Sequence, residues 1–199
     1  MLRNILDIDH AAQKISIVSN RGAIILFDFR AAFPSLSHDY LWDALEALGL
    51  PAQYVSALKL FYQGNFHYIK IAGKYFTSIE VRSGVRQGCP LSPVIFALVL
   101  DPFIRKLDIT LGSRGLIRAY ADDMAIVFDN WHDSWAIDEQ GRPRLLLDRI
   151  AALFQLLERV SGLKLNVLKT ILVPLTSCAK QGQLVEHVER PGHPWNKAP

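Results

Sequence analysis

The chain has 199 residues, half of them apolar and 21% charged, which predicts one folded domain and excludes an intrinsically disordered chain. Its net charge of +3 permits a polyanionic partner, but an ordinary solvated surface explains that charge equally well. Cys89 and Cys178 match no metal-ligand spacing, and the longest apolar run, 94–100, is too short to cross a bilayer. We therefore expect an intracellular protein with reduced thiols and no membrane partner, in the nucleus or the cytoplasm.

The first half of the chain combines helical and strand patterns. The predicted elements are a helix over 2–19, a buried strand over 23–29, helices over 37–48 and 51–63, and a hairpin of 66–72 with 74–82.

The second half begins with a Pro- and Gly-containing loop. The predicted elements are a helix from this loop (83–93) to about residue 107, two strands over 116–128, an exposed loop over 129–143, a helix over 144–160, two short strands over 163–175 and a disordered tail over 176–199. This order predicts an α+β fold in which helices pack on one face of an antiparallel sheet.

Asp28 interrupts an otherwise apolar strand, AIILFDF. A carboxylate in such a place is costly unless it is paired or binds a cation. Alternatively, the strand ends at Leu26 and Asp28 caps the following turn. The residue alone does not decide between a carboxylate that is paired or binds a cation and one that caps a turn.

Asp122 and Asp123 lie between two apolar runs at a predicted hairpin turn. Asp is common in turns for local reasons, so the pair alone is weak evidence. If the hairpin lies beside the strand that carries Asp28, we expect the three carboxylates to converge on one point. Oxygen ligands of this kind suit Mg²⁺, and two such ions stabilise the attacking and leaving oxygens of a phosphoryl transfer.

The loop SGVRQGCPLSP (83–93) is the third candidate site. Arg86 lies between two glycines, and a guanidinium beside flexible backbone N–H groups can hold a phosphate or a base. The alternative is a plain loop before a helix, with Arg86 in solvent.

Four segments, FDFRAAFPS, SGVRQGCPLSP, YADD and SGLKLNVLKT, together resemble the successive palm motifs of reverse transcriptases, most closely those of non-LTR (LINE-type) retrotransposons. The resemblance covers roughly residues 2–175. Four motifs in the family's order make it specific, whereas YADD alone is not.

The resemblance implies a metal site. Asp28, Asp122 and Asp123 match the metal-binding aspartates, and the carbonyl of Phe29 is a further possible ligand. The implied cofactor is Mg²⁺, as two ions, with Mn²⁺ as a substitute. Lys169 matches a lysine near the triphosphate, a candidate general acid for pyrophosphate release, although a solvated lysine at a strand end explains it equally well.

The resemblance also implies a nucleotide- and template-binding site. Phe33 matches the aromatic residue that lies under the incoming sugar and excludes a 2′-hydroxyl, whereas its plain alternative is core packing. The other residues that match this site are Arg86, Gln87, Gly88 and Tyr120.

The implied fold is a polymerase palm over 1–175, with partial fingers at 1–22 and 50–82 and no thumb. The implied function is RNA-directed DNA polymerisation, with an RNA template, a DNA primer and deoxynucleoside triphosphates as partners. The missing fingers and thumb regions would be supplied by a longer polyprotein. The alternative is a catalytically silent retrotransposon remnant that folds as a palm and at most binds nucleic acid.

Overall fold

The structure, a computed structural model, describes residues 2–131, 136–137, 143–176 and 178–196. The helices are α1 (Leu2–Val18), α2 (Ala32–Ser35), α3 (His38–Ala47), α4 (Ala52–Tyr62), α5 (Ser92–Leu111), α6 (Leu146–Ser161) and α7 (Cys178–Glu189). The strands are β1 (Gly22–Phe27), β2 (Phe29–Arg30), β3 (Phe66–Ile71), β4 (Lys74–Glu80), β5 (Gly115–Tyr120), β6 (Asp123–Phe128), β7 (Ala136–Ile137), β8 (Pro143–Arg144), β9 (Lys164–Leu165) and β10 (Ile171–Leu175).

The main sheet has the strand order β10-β1-β6-β5, and all its pairs are antiparallel. β1 is therefore an inner strand, which explains why its sequence is apolar. Three two-stranded pairs lie outside this sheet: β2 with β9, β3 with β4, and β7 with β8. The α+β fold that the sequence predicts is confirmed.

The core lies between one face of the sheet and helices α5 and α6. Ile25 and Phe27 of β1 alternate with less buried residues, as a strand with two different faces requires. The ring centroid of Phe27 lies 4.4 Å from that of Phe154 in α6, and Phe103 of α5 lies 4.9 Å from Phe154 on another side. This aromatic cluster fixes both helices against the strand that precedes Asp28.

Helix α1 covers the opposite face of the sheet, so the expectation of helices on one face only is wrong. Ile5 and Ile8 of α1 line a cavity with Ile24 and Leu26, which point away from the core. The helical apolar stripe of α1 needs an apolar partner, and the outer face of β1 provides it.

The segment after residue 176 is ordered where the structure describes it, so the predicted disordered tail is wrong for 178–196. Leu184 and Val188 of α7 are buried, and Trp195 is only 3% exposed. The Trp195 ring lies 5.8 Å from that of Phe27, between centroids. Burial of one large ring on the core outweighs the polar and Pro-rich composition that suggested disorder.

Trp131 departs from the predicted exposed loop over 129–143. Its side chain is 2% exposed, and its backbone N–H donates to the Arg21 carbonyl at 3.0 Å. Residues 132–135 and 138–142 of that prediction lie outside the described part of the chain. Among the helices that the structure describes, none has the length and apolar character to span a bilayer.

Candidate active site

Two adjacent strands bring the predicted acids to one end of the sheet. Phe27 is paired with Met124, so Asp28 and Asp123 are the next residues along two neighbouring strands. Tyr120 is paired with Asp123, which makes Ala121 and Asp122 a two-residue turn. The backbone therefore provides the juxtaposition of Asp28 with Asp122–Asp123 that the sequence predicts.

The placement of the strands does not by itself fix where the three carboxylate groups lie. Among the described residues, only Asp148, His187 and His193 form a group of three ligand-bearing side chains within 4.8 Å of one another. Asp28, Asp122 and Asp123 do not form such a group, so their placement on neighbouring strands is observed and the convergence of their carboxylates stays a prediction. Carboxylates repel one another unless a cation lies between them, so a bound cation would favour their closer approach.

The donor set nevertheless fits a hard divalent cation. All three side chains offer carboxylate oxygens, which Mg²⁺ and Mn²⁺ prefer. Asp28 and Asp122 are half-buried and Asp123 is exposed. Exposed oxygens at a sheet end leave room for the waters and substrate phosphates that complete the coordination of Mg²⁺.

The turn between β5 and β6 is held in a strained conformation. Ala121 has a φ of 54°, in the left-handed region that a residue with a Cβ enters at a cost. Such strain persists where the flanking pairing fixes the backbone, and it is concentrated at functional sites. Here the β5–β6 ladder fixes both ends of the turn and thus the position of Asp122.

The segment with Lys169 is tied directly to Asp28. The backbone N–H of Asn166 donates to the Asp28 carbonyl at 2.8 Å, and Phe29 is paired with Leu165. The N–H of Lys169 then donates to the Asn166 carbonyl at 3.0 Å, which closes a turn. Lys169 is exposed on this turn. The sequence does not predict the role of Asn166, because the contact depends on a pairing between distant segments.

A cavity of about 390 Å³ collects most of the predicted nucleotide- and template-binding residues. Phe33 lines it together with Arg86, Gln87 and Gly88. The Phe33 ring stacks on Phe96 of α5, with 4.9 Å between centroids. Both earlier interpretations of Phe33 therefore fit its position, since one side of the ring packs on the core and the ring also borders the cavity.

The Arg86 guanidinium is engaged by the end of α4. Nη2 donates to the Phe61 carbonyl and to Asn65 Oδ1, both at 2.5 Å, and the guanidinium lies over the Tyr62 ring at 5.9 Å. Arg86 is exposed, as the plain alternative expects, but these contacts hold its guanidinium in one place. The side chain connects the cavity loop to the helix and hairpin of 52–80, a contact that the sequence does not predict.

Cys89 shares this cavity at the start of α5. The backbone N–H of Leu91 hydrogen-bonds the Cys89 sulfur and, with smaller contributions from Ser92 and Arg86, lowers the pKa of the thiol, although partial burial opposes this change. The thiol therefore ionises more readily than an ordinary cysteine.

Two glycines, Gly84 in the cavity loop and Gly162 at the end of α6, allow their segments to approach the segment that follows Asp28. A Cβ on Gly84 would lie 2.6 Å from Pro34 Cα, and one on Gly162 would lie 2.6 Å from the Ser35 carbonyl oxygen. Gly84 N–H also donates to the Leu36 carbonyl at 2.7 Å. The turn over 34–37 is thus clamped between two other motifs, and the clamp positions Phe33.

Tyr120 lies apart from this cavity. It is exposed and lines, with Asp123, a second cavity of about 510 Å³ between α1 and the sheet. At its rim, Asn4 Nδ2 donates to the Ala119 carbonyl at 3.0 Å, and Arg118 pairs with Asp7 at 2.8 Å. These two contacts fix α1 beside the strand that leads to the acidic turn.

A second polar cluster joins α6 to the C-terminal segment. Asp148 Oδ1 accepts hydrogen bonds from His187 Nε2 at 3.2 Å and Arg190 Nη2 at 2.5 Å, and His193 Nε2 lies 3.5 Å away. Burial raises the pKa of Asp148, but the hydrogen bonds from the histidines and the charges of His187 and Arg190 outweigh it and hold that pKa well below its usual range.

This second cluster does not fit a metal site. The Trp195 backbone N–H donates to His193 Nδ1 at 3.1 Å, so neutral His193 carries its proton on Nε2 and offers no lone pair there. The Arg190 guanidinium already neutralises Asp148. The cluster is a half-buried ion-pair network, with Arg190 at its exposed side, that fastens α7 to α6, and local sequence does not predict it.

Comparisons with known proteins agree with one another. A family model described as reverse transcriptase (RNA-dependent DNA polymerase) matches residues 2–182. The Pol polyprotein of the type-2 retrotransposable element R2DM of Drosophila melanogaster is 31% identical over 159 residues, which are 77% of this chain and 14% of that protein. A 149 kDa protein of transposon TX1 of Xenopus laevis is 33% identical over 113 residues, which are 53% of this chain and 9% of that protein.

Solved structures show the same fold. Apo telomerase from Candida tropicalis, truncated from its C-terminal domain, superposes with a TM-score of 0.60 at 14% identity, over 83% of this chain and 35% of that one. Candida tropicalis telomerase with a fragment of telomeric RNA gives a TM-score of 0.62 at 15% identity, over 85% of this chain and 28% of that one. The chain thus spans a minor part of the length of each protein that it matches.

Proposed function

Because this chain belongs to the reverse transcriptase family, as a domain of the non-LTR retrotransposon type, we propose that it carries the catalytic palm of an RNA-directed DNA polymerase. The observation that carries the proposal is the placement of Asp28 and Asp123 on adjacent strands, next to the turn with Asp122. We place the palm at 1–175, with parts of the fingers at 1–22 and 50–82.

In the proposed reaction, the 3′-hydroxyl of a primer loses its proton to water and its oxygen attacks the α-phosphorus of a deoxynucleoside triphosphate, while the bond from that phosphorus to the bridging oxygen of the β-phosphate breaks to release pyrophosphate. Two Mg²⁺ ions, or Mn²⁺, would supply charge neutralisation at the attacking and leaving oxygens when bound. Asp28, Asp122 and Asp123 would hold these ions, with the carbonyl of Phe29 as a further ligand. Since that chemistry needs little more than positioning, the rigid strand pairing is the main contribution of the chain.

The other predicted residues would hold the substrates. Phe33 would support the sugar of the incoming nucleotide, and Gln87 and Gly88 would contact the nucleotide and the template base across the same cavity. Arg86 would act by positioning this loop through Phe61 and Asn65. Tyr120 would contact the primer end.

Lys169 would donate a proton to the departing pyrophosphate. Its turn is anchored to the Asp28 carbonyl through Asn166, which supports a position near the metal ligands. An ammonium group on an exposed turn is able to exchange its proton with water after each cycle.

The chain spans only 14% of the R2DM polyprotein and 9% of the TX1 protein, so we carry a second candidate, a palm that folds but turns nothing over. The two candidates differ in one measurement: extension of a DNA primer on an RNA template by this 199-residue chain, with Mg²⁺ or Mn²⁺ and deoxynucleoside triphosphates. Extension supports the polymerase. Its absence here, together with activity when the chain replaces the matching segment of the R2DM polyprotein, supports a palm that needs its flanking regions. Absence in both supports the silent palm.

In the active form, we expect Asp122→Asn to lower the extension rate at least about a hundredfold, because it removes a charge that holds the cations. Asp43→Asn, on the exposed side of α3, is the matched control and should leave the rate unchanged. An Asp122→Asn variant with the rate of the wild type would overturn the assignment of this site.

A further inference from the structure

The hairpin of β3 and β4 projects from the domain with both faces exposed. Every residue of β3 is exposed, which is unusual for a strand rich in aromatic and β-branched side chains. Pairing of Ile71 with Lys74 leaves Ala72 and Gly73 as a tight turn, both with positive φ. The hairpin is therefore well defined by its ladder, although it has no other layer to pack on among the described residues.

The strand register separates the side chains of the hairpin into two chemically different faces. Lys70 is paired with Tyr75, and Tyr68 lies on the same side of β3 as Lys70. Glu80 is paired with Phe66 and lies on this side as well. We call Phe66, Tyr68, Lys70, Tyr75 and Glu80 the ring face. The next pairs, Ile69 with Phe76 and Ile71 with Lys74, form the opposite side. His67 and Ile79 are paired on this side too. We call His67, Ile69, Ile71, Lys74, Phe76 and Ile79 the aliphatic face.

The ring face has the chemistry of a stacking platform for nucleic-acid bases. Tyr68 is 61% and Tyr75 is 69% exposed, and Lys70 Nζ lies 5.1 Å from the centroid of the Tyr75 ring. Exposed rings next to a cation bind unpaired bases and their phosphates, because each base has a face to stack and each phosphate a charge to neutralise. On the ring face, Glu80 is ion-paired with Arg82 at 2.5 Å, which leaves the Lys70 ammonium beside the Tyr75 ring to contact a phosphate.

The base of the hairpin adjoins the candidate nucleotide cavity. Asn65, which directly precedes β3, accepts a hydrogen bond from Arg86, and Arg86 lines that cavity. The Val81 N–H donates to the Asn65 carbonyl at 2.8 Å and closes the base of the hairpin. A nucleic-acid strand that enters the cavity thus passes near the start of the hairpin.

We propose that the ring face of the β3–β4 hairpin binds the unpaired RNA template next to the nucleotide cavity. This inference rests on the proposed function for its choice of RNA, and it adds a binding site outside the metal centre. The aliphatic face, with four apolar side chains, one lysine and one histidine, suits a protein surface instead.

The test measures the affinity of the 199-residue chain for a fluorescently labelled, 12-nucleotide single-stranded RNA. Fluorescence anisotropy monitors the binding, in buffer without divalent metal or nucleotides. We expect Tyr68→Ala and Tyr75→Ala each to weaken binding about tenfold, whereas Tyr→Phe at either position retains it because the ring remains. Lys70→Ala should lower the slope of log affinity against log salt by about 0.7, the contribution of one phosphate contact on a single strand.

Ile69→Ala and Phe76→Ala on the aliphatic face are the matched controls and should bind as the wild type does. Circular dichroism melting checks that each variant is folded. Wild-type affinity in a folded Tyr68→Ala/Tyr75→Ala variant overturns the proposal, and so does an equal loss in the aliphatic-face variants. Asp122→Asn should bind RNA normally, so a failure of catalysis does not resemble a failure of this inference.

Discussion

Gly84 and Gly88 show that the sequence predicts an unusual backbone conformation but not which glycine packs against a distant segment. Both glycines have a positive φ, and both can be identified in SGVRQGCPLSP as positions of unusual backbone. Only Gly84 touches another motif, since a Cβ there would meet Pro34, whereas a Cβ on Gly88 would meet nothing within 4 Å. Spacing along the chain predicts the conformation, but the close approach depends on residues about 50 positions away.

The two glycines therefore predict different losses of stability. We expect Gly84→Ala to lower the free energy of unfolding by about 2–5 kcal/mol, from backbone strain plus overpacking. Gly88→Ala should lower it by only about 1–2 kcal/mol, from strain alone. Urea unfolding of both variants measures the difference, and equal losses would argue against the clamp over 34–37.

At the scale of elements, periodicity predicted the helices and strands well where each buries one face. The helix over 2–19, the strand pair around the acidic turn and the helix over 144–160 are all confirmed within a few residues. α7 was missed because its apolar residues are few, and its stability comes from contacts with α6 and the core. Trp195 and the network around Asp148 provide those contacts, and neither is visible in local sequence.

Helix α7 and its following turn should unfold from the core when Trp195 is removed. We expect Trp195→Ala to lower the free energy of unfolding by about 3–5 kcal/mol, as for other buried large rings. Val185→Ala, on the exposed side of α7, is the control and should change it by less than about 1 kcal/mol. Thermal melting of both variants tests this, and similar melting temperatures would show that Trp195 does not anchor the segment.

At the scale of the whole molecule, the Asp148 network makes stability depend on pH in a defined direction. The pKa of Asp148 is lowered in the folded chain, so the folded form holds fewer protons than the unfolded form near the ordinary pKa of about 3.9. The stabilisation is therefore fully present above about pH 4 and is lost as the pH falls through the folded pKa.

We expect Asp148→Asn to reduce stability at pH 7 and to flatten the loss of stability below about pH 4. Denaturant unfolding from pH 2 to pH 7 measures both effects. Glu158→Gln, which breaks an exposed ion pair with Lys164, is the comparison and should have a small effect at any pH. A parallel downward shift of the whole Asp148→Asn curve would mean that the carboxylate contributes packing but no linked proton.

The inner position of β1 also has a consequence for how the chain is made. Its two partners in the sheet, β6 and β10, follow about 100 and 150 residues later in the sequence. At roughly 5–20 residues per second, a ribosome needs at least about 5 s after finishing β1 to deliver the first partner. During that interval this apolar strand has neither of its two sheet partners to pair with. Folding of the palm therefore waits for late synthesis, and β1 is the segment that we expect a chaperone to shield in the meantime.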